Sequence, residues 1–142
     1  EFVAFCKANE RNGKPLIEDP LIGSRLAIMA TELQAILTMY WQSVSEMEKN
    51  FGKPLSERGG RGLHSGGSIP ALAQKEWLAS FANSVIQIAG PLGSLQRGAK
   101  WAAKEGWNEQ FYRRYAFDTH GHGTPELLRM IIATRGLGLP RY

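Results

Sequence analysis

The sequence predicts an all-α fold, an antiparallel helical bundle, and three observations carry that prediction. Apolar residues recur in alternating steps of three and four along two long stretches, as a helix with one buried stripe requires. Proline and glycine clusters fall at the ends of those stretches. No segment alternates polar and apolar residues long enough to predict a strand.

The elements follow in order. Residues 1–12 predict a partial helix with Phe2 and Phe5 inward, Val3 a further candidate, and Cys6 a small buried hydrophobe. A long helix starts at Asp19-Pro20, where Asp caps and Pro lacks only an N–H that would find no partner. From there Ile22, Leu26, Met29, Leu33, Ile36, Tyr40, Val44 and Met47 form a heptad-like seam along about seven turns. Arg25, Thr31, Glu32 and Gln34 occupy the other side, and the helix ends before Asn50-Phe51-Gly52-Lys53-Pro54. Residues 53–68 hold five glycines with Arg58, Arg61 and His64, and read as a flexible interhelix loop ahead of an Arg-Gly-Gly nucleic-acid segment.

A second long helix runs from near Ser68-Ile69-Pro70 to Ile88, with Leu78, Phe81, Val85 and Ile88 in helical steps. Gly90-Pro91-Leu92-Gly93 stops it. Residues 94–120 interleave Trp101, Trp107, Phe111, Tyr112, Tyr115 and Phe117 with Arg113 and Arg114. A short helix and loop packed across the bundle is the preferred reading; aromatics and arginines stacked on bases is the other. The last helix starts at Thr124-Pro125-Glu126, in the order cap, proline, acid. Leu127, Leu128, Ile131 and Ile132 give it an apolar face, and Gly136 ends it.

Composition narrows the function. With 142 residues, 43% of them hydrophobic, the chain fits one domain with a real core and is not globally disordered. The 17 basic residues outnumber 13 acidic ones, but they spread from Lys7 to Arg141, so no basic patch predicts a nucleic-acid partner. The single cysteine excludes an intrachain disulfide. No apolar run approaches the roughly 20 residues of a bilayer span, and no basic stretch followed by an apolar one suggests a leader. The expectation is a cytoplasmic protein with no membrane partner. The opening Glu1-Phe2-Val3, without Met, suggests a piece of a longer protein.

His120 and His122 flank Gly121, but a closed zinc site needs four ligands, and no cysteine cluster or Glu-x-x-His pair supplies them; no metal is expected. Nothing forms a nucleophile elbow or a Walker motif. Gly121-His122-Gly123-Thr124-Pro125-Glu126 remains, opening a helix whose free N–H groups and dipole favour a phosphate. The alternative is an ordinary capped helix start.

The segment from Thr124 through Ile131-Ile132-Ala133-Thr134-Arg135 to Arg141 resembles the C-terminal end of flavin-dependent acyl-CoA dehydrogenases, which commonly read Glu-Gly-Thr-x-Glu-Ile-Gln-Arg and then Ile-Ile-Ala-x-Arg. Val85-Ile86-Gln87-Ile88-Ala89-Gly90-Pro91-Leu92-Gly93 is similar to the family's Gln-Ile-x-Gly-Gly-x-Gly element. Asp19-Pro20-Leu21-Ile22, Arg25-Leu26-Ala27 and Met29 to Leu33 are similar to the opening of its long bundle helix. The resemblance runs in order along almost the whole chain, apart from the glycine-rich stretch.

It implies the C-terminal helical-bundle domain, residues 1–142, of an enzyme whose family adds an N-terminal helical domain and a middle β-domain. Such enzymes desaturate an acyl-CoA thioester between its α and β carbons with FAD as hydride acceptor, and this domain alone should be inactive. The usual Glu base, just before Gly-Thr, is replaced by His122; an imidazole with a pKa of about 6.5 can act as a base, but lining the site is the preferred role. Gln87 and Gly90 correspond to contacts with the adenosine-pyrophosphate of a neighbouring subunit's FAD, and Thr124 and Glu126 to contacts at the last helix start. Pro91 replaces the second glycine, Leu128 a usual Gln, and Pro20 another Gln; Arg11 lies two residues from the family's arginine register. Homo- or hetero-oligomerisation through the bundle is implied. A second reading is a non-catalytic assembly subunit of a heteromeric acyl-CoA dehydrogenase.

Overall fold

The computed structural model describes residues 1–54, 66–121 and 123–141. The chain runs through α1 (Phe2–Ala8), a hairpin of β1 (Glu10–Arg11) and β2 (Lys14–Pro15), a 3₁₀ turn at Leu16–Glu18, α2 (Pro20–Lys49) and α3 (Ser68–Ala89). It continues through 3₁₀ turns at Gly90–Ser94 and Ala103–Gly106, α4 (Trp107–His120), α5 (Pro125–Ile131) and a π turn at Ile132–Gly136. The fold class is all-α, as expected. The glycine-rich loop expected at 53–68 lies largely outside the described residues.

The hairpin is a difference from the sequence expectation. Its strands are two residues each, paired Glu10 with Pro15 and Arg11 with Lys14, too short for alternation to register. The signal was the turn: Asn12 (φ 56) and Gly13 (φ 76) both take left-handed backbone, which the tightest hairpin turn demands.

Two compact units divide the chain. The first comprises residues 1–32 and 77–118. Its core joins Phe2, Cys6, Leu16, Ile22, Leu26, Met29, Val85 and Ile88. Phe2 and Cys6 stand four apart and share the inner face of α1; Val3, one residue round the helix, is exposed and not inward. Burial pushes the Cys6 thiol up, as suits an inert core residue. The Trp77 Nε1–H donates to Met29 O at 2.9 Å, and Arg25 Nη1 to Gln87 Oε1 at 2.6 Å, so these parts of α2 and α3 run antiparallel. Phe81 stacks on Trp77 at 4.8 Å and meets Phe2 and Phe111 edge-on, while Phe111 stacks on Trp107 at 5.0 Å.

Residues 94–120 therefore divide. Trp107 and Phe111 pack inward, Trp101 and Phe117 stay exposed. Arg113 and Arg114 pair along α4 with Glu109 and Asp118. That neutralises much of the basic character on which the base-stacking reading rested.

The second unit comprises residues 33–76 and 119–142. The Tyr40 hydroxyl donates to Gln74 Oε1 at 2.6 Å and Ser43 Oγ to Gly66 O at 2.9 Å. Ile36 is buried and Leu33 and Tyr40 half-buried, but Val44 and Met47 are 51% and 65% exposed. The expected seam is thus shorter than seven turns: its apolar register persists beyond Tyr40, but no described residue buries it there. On α5 Leu128 is buried and Leu127 exposed. The helix stops at Gly136 as expected, but through a wider turn in which the Leu137 N–H reaches Ile132 O at 3.0 Å.

By length and composition alone, α2 is apolar enough to cross a bilayer: its richest 18-residue window has a mean hydropathy of 1.2. Arg25 and Glu32 break its apolar runs, so uninterrupted run length does not reveal this property. The same composition suits the core helix of a bundle, and Ile22, Leu26, Met29 and Ile36 are indeed buried.

Candidate functional site

In the first unit, α3 ends where Gly90 turns left-handed (φ 69). A Cβ there would meet only Arg11 Nη2, at 3.8 Å, so the backbone angle, not crowding, favours glycine. The last carbonyls of a helix lack intrahelical partners and carry its negative dipole end. Arg11, delivered by the hairpin, donates Nη2 to Ile88 O at 2.7 Å and answers both. Gln87 is exposed, its amide oxygen engaged by Arg25.

Arg11, Asp19, Arg25, Ser84 and Gln87 line an open groove of about 580 Å³, with Ile22 and Ile88 among its apolar residues. Two guanidinium groups and an amide supply donors, and the Asp19 and Glu32 carboxylates supply acceptors, which suits a polar ligand. Of the sequence-derived pair, Gln87 lines this groove with Arg11 and Arg25, whereas Gly90, three residues on, is not among its lining. The signal for Arg11 was its place against the Asn12-Gly13 turn; nothing in the sequence singled out Arg25 as a partner of Gln87.

In the second unit, Thr124 caps α5. Its hydroxyl accepts the Leu127 N–H at 3.3 Å, and its carbonyl accepts the Leu128 N–H at 3.0 Å. The Glu126 carboxyl is held below the usual range by its own backbone N–H, then by the Thr124 hydroxyl, with smaller help from Arg129 and His120. Buried Lys75 of α3 donates to Gly121 O at 2.6 Å and to Thr119 O at 3.2 Å, at the end of α4. The next residue, Glu76, binds Arg129 of α5 at 2.5 Å. Lys75 and Glu76 thus grip the chain on both sides of the turn that leads into Thr124. The sequence signal for Lys75 was a charge three residues before Leu78, in the apolar register of α3.

Thr124 and Glu126 lie together, as their spacing requires, and Gln87 and Gly90 lie in the other unit. His122 falls outside the described residues, as does His64. His120 is exposed, its Nδ1 3.2 Å from Thr119 Oγ1. Among the described residues no three His, Cys, Asp or Glu side chains gather as metal ligands.

The family model for the acyl-CoA dehydrogenase C-terminal domain matches residues 1–137. No curated protein matches the sequence. A crystal structure of the ChsE4-ChsE5 complex from Mycobacterium tuberculosis is similar with a TM-score of 0.81 at 20% identity, over 100% of this chain and 34% of that one. The chain thus spans about a third of the length of the solved chain it matches.

Proposed function

The chain belongs to the acyl-CoA dehydrogenase C-terminal domain family, and from that premise we propose that it is the helical-bundle part of an FAD-dependent enzyme that desaturates an acyl-CoA thioester. The observation that carries the proposal is the family match over residues 1–137. The polar end of α3 supports it. Gly90 presents backbone without a side chain, and in the adjoining groove Arg11 and Arg25 stand with Asp19 and Glu32 while Gln87 adds an amide. These groups fit the adenosine-pyrophosphate of FAD, which would supply the hydride acceptor of the reaction.

This chain's own residues bind and orient. Gln87 and Gly90 would contact the adenosine-pyrophosphate of a neighbouring subunit's FAD at the end of α3, and Thr124 and Glu126 would contact FAD at the start of α5. His122 stands where many members carry their carboxylate base and is proposed to line the site. Other subunits would pack against the bundle, in a cytoplasmic enzyme. On this reading the 142-residue chain has no turnover by itself, because most of the flavin and acyl-CoA surface belongs to the rest of the enzyme.

Expression of the parent open reading frame tests the proposal. The product should show a flavin spectrum and acyl-CoA-dependent dye reduction, with the 142-residue chain inactive. A parent without a β-domain upstream of Glu1 would sink the assignment. Turnover by the chain alone would overturn the inactivity.

A second reading has an observation of its own: a histidine where the carboxylate base is usual. It makes the chain a non-catalytic assembly subunit in a heteromer; the similar solved structure is itself described as a complex of ChsE4 and ChsE5. Unchanged turnover in a His122→Ala parent would show that His122 is not the base, and a parent that turns over only with a second gene product would favour the heteromer.

A further inference from the structure

Two glycines bracket residue 122 in the turn from α4 into α5. Gly123 takes a left-handed backbone (φ 95). A Cβ there would meet only ordinary contacts, Leu127 Cδ2 at 3.5 Å and Leu128 Cδ2 at 3.9 Å. The backbone angle therefore selects glycine, which loses more freedom on folding than any other residue and brings no side chain to hold the turn.

Residues outside the turn hold it instead. Lys75 of α3 is only 8% exposed, and its Nζ donates to Gly121 O at 2.6 Å and Thr119 O at 3.2 Å. Lysine is almost never buried this far unless partners offset its lost hydration. These acceptors stand at the C-terminal end of α4, where carbonyls lack intrahelical partners and carry the negative end of the helix dipole. Packing does not explain a cation here, because an apolar side chain of similar volume serves a buried position as well or better. Beyond the turn, the adjacent Glu76 pairs with Arg129 of α5, and Thr124 caps that helix. Two consecutive residues of α3 thus fix the chain before and after the glycines.

We propose that Lys75 is a positioning residue of the reaction: by tying α3 to the carbonyls of Thr119 and Gly121, it sets the turn that carries residue 122 and delivers Thr124. The role in catalysis rests on the acyl-CoA dehydrogenase reading; the clamp itself rests on the hydrogen bonds alone.

The test substitutes Lys75→Met in the 142-residue chain and in the product of the parent open reading frame. Methionine keeps an unbranched stem of similar volume but donates nothing. In the 142-residue chain, helical circular dichroism should be unchanged. The Gly121 carbonyl-carbon resonance should move, and the Gly123 and Thr124 amide resonances with it. In the parent, kcat should fall roughly tenfold to a hundredfold, as misplacement by about 1 Å does, while KM for acyl-CoA changes little. Lys75→Arg restores charge and donors and should recover most of kcat. Tyr40→Phe removes the hydrogen bond to Gln74 in the same unit and should leave kcat unchanged, which separates positioning from a general loss of stability. Lys75→Gln, polar on a shorter stem, replaces the methionine variant if that one does not fold. Native kcat or an unmoved Gly121 resonance in a folded Lys75→Met would each overturn the inference. Failure of both variants to fold would overturn it too, because Lys75 would then serve the core alone. A native parent without acyl-CoA turnover fails the reading of the reaction, and the Gly121 and Thr124 resonances then decide the clamp by themselves.

Discussion

Thr124 uses one hydroxyl twice: it accepts from the Leu127 N–H and donates to the Glu126 carboxylate. Loss of such a cap costs about 1 kcal/mol, so Thr124→Ala should lower stability in urea unfolding by about that much. It should also raise the Glu126 pKa, read by carbon NMR titration, because the hydroxyl is the second largest of the groups that hold it down. The direction of the pH effect follows. A carboxyl whose folded pKa lies below its unfolded one adds stability above the ordinary carboxylate range, and loses it as pH falls through the depressed value. Glu126→Gln should therefore be less stable than the native chain near neutrality and equal to it in strong acid. A stability gap that persists in acid would assign the loss to something other than ionisation.

The glycines show how an element's geometry sets the size of an effect. Gly90 (φ 69) has room for a Cβ, so Gly90→Ala should cost only the backbone term, about 1 kcal/mol. At Gly106 (φ 82) a Cβ would fall 2.3 Å from Arg97 N. There strain and collision add, and Gly106→Ala should cost about 3 kcal/mol or more by chemical denaturation. Similar losses at both positions would show that the chain relaxes around Gly106. Only part of this was legible beforehand. The start of α2 at Asp19-Pro20, the stop at Gly90-Pro91 and the Thr124 cap are local chemistry, written in adjacent residues, and all three stand as expected. Gly106 against Arg97, Arg25 on Gln87 and Lys75 on the end of α4 join residues distant in sequence or dictated by packing, which no local pattern encodes. The seam of α2 failed for the same reason: periodicity marks the apolar face of a helix but not where its cover ends. The unexpected hairpin reverses the case. Asn12-Gly13 was legible, but its flanking strands are too short for a search based on alternation.

At the scale of the whole molecule, the uncovered run of α2 has a consequence for assembly. Leu37, Trp41, Val44 and Met47 are exposed along consecutive turns, and Phe51 beyond them is 90% exposed. Contiguous exposed apolar side chains of this kind are typical of surfaces that meet another chain. The proposed association through the bundle predicts a chain that sediments as an oligomer at micromolar concentration. Val44→Glu with Trp41→Glu should return it to a monomer with unchanged helical circular dichroism. A native chain that stays monomeric would count against the proposal. The aromatic stacks of the first unit have an optical consequence. Trp77 lies within 8° of parallel to Phe81, and Trp107 within 6° of Phe111, whereas Trp41 and Trp101 stand in solvent. Rings held at fixed angles in an asymmetric setting give sharp bands in near-ultraviolet circular dichroism, and mobile exposed rings average theirs away. The tryptophan bands of this chain should therefore arise from Trp77 and Trp107 alone. They should survive Trp41→Phe with Trp101→Phe, and vanish when packing loosens while the helices persist.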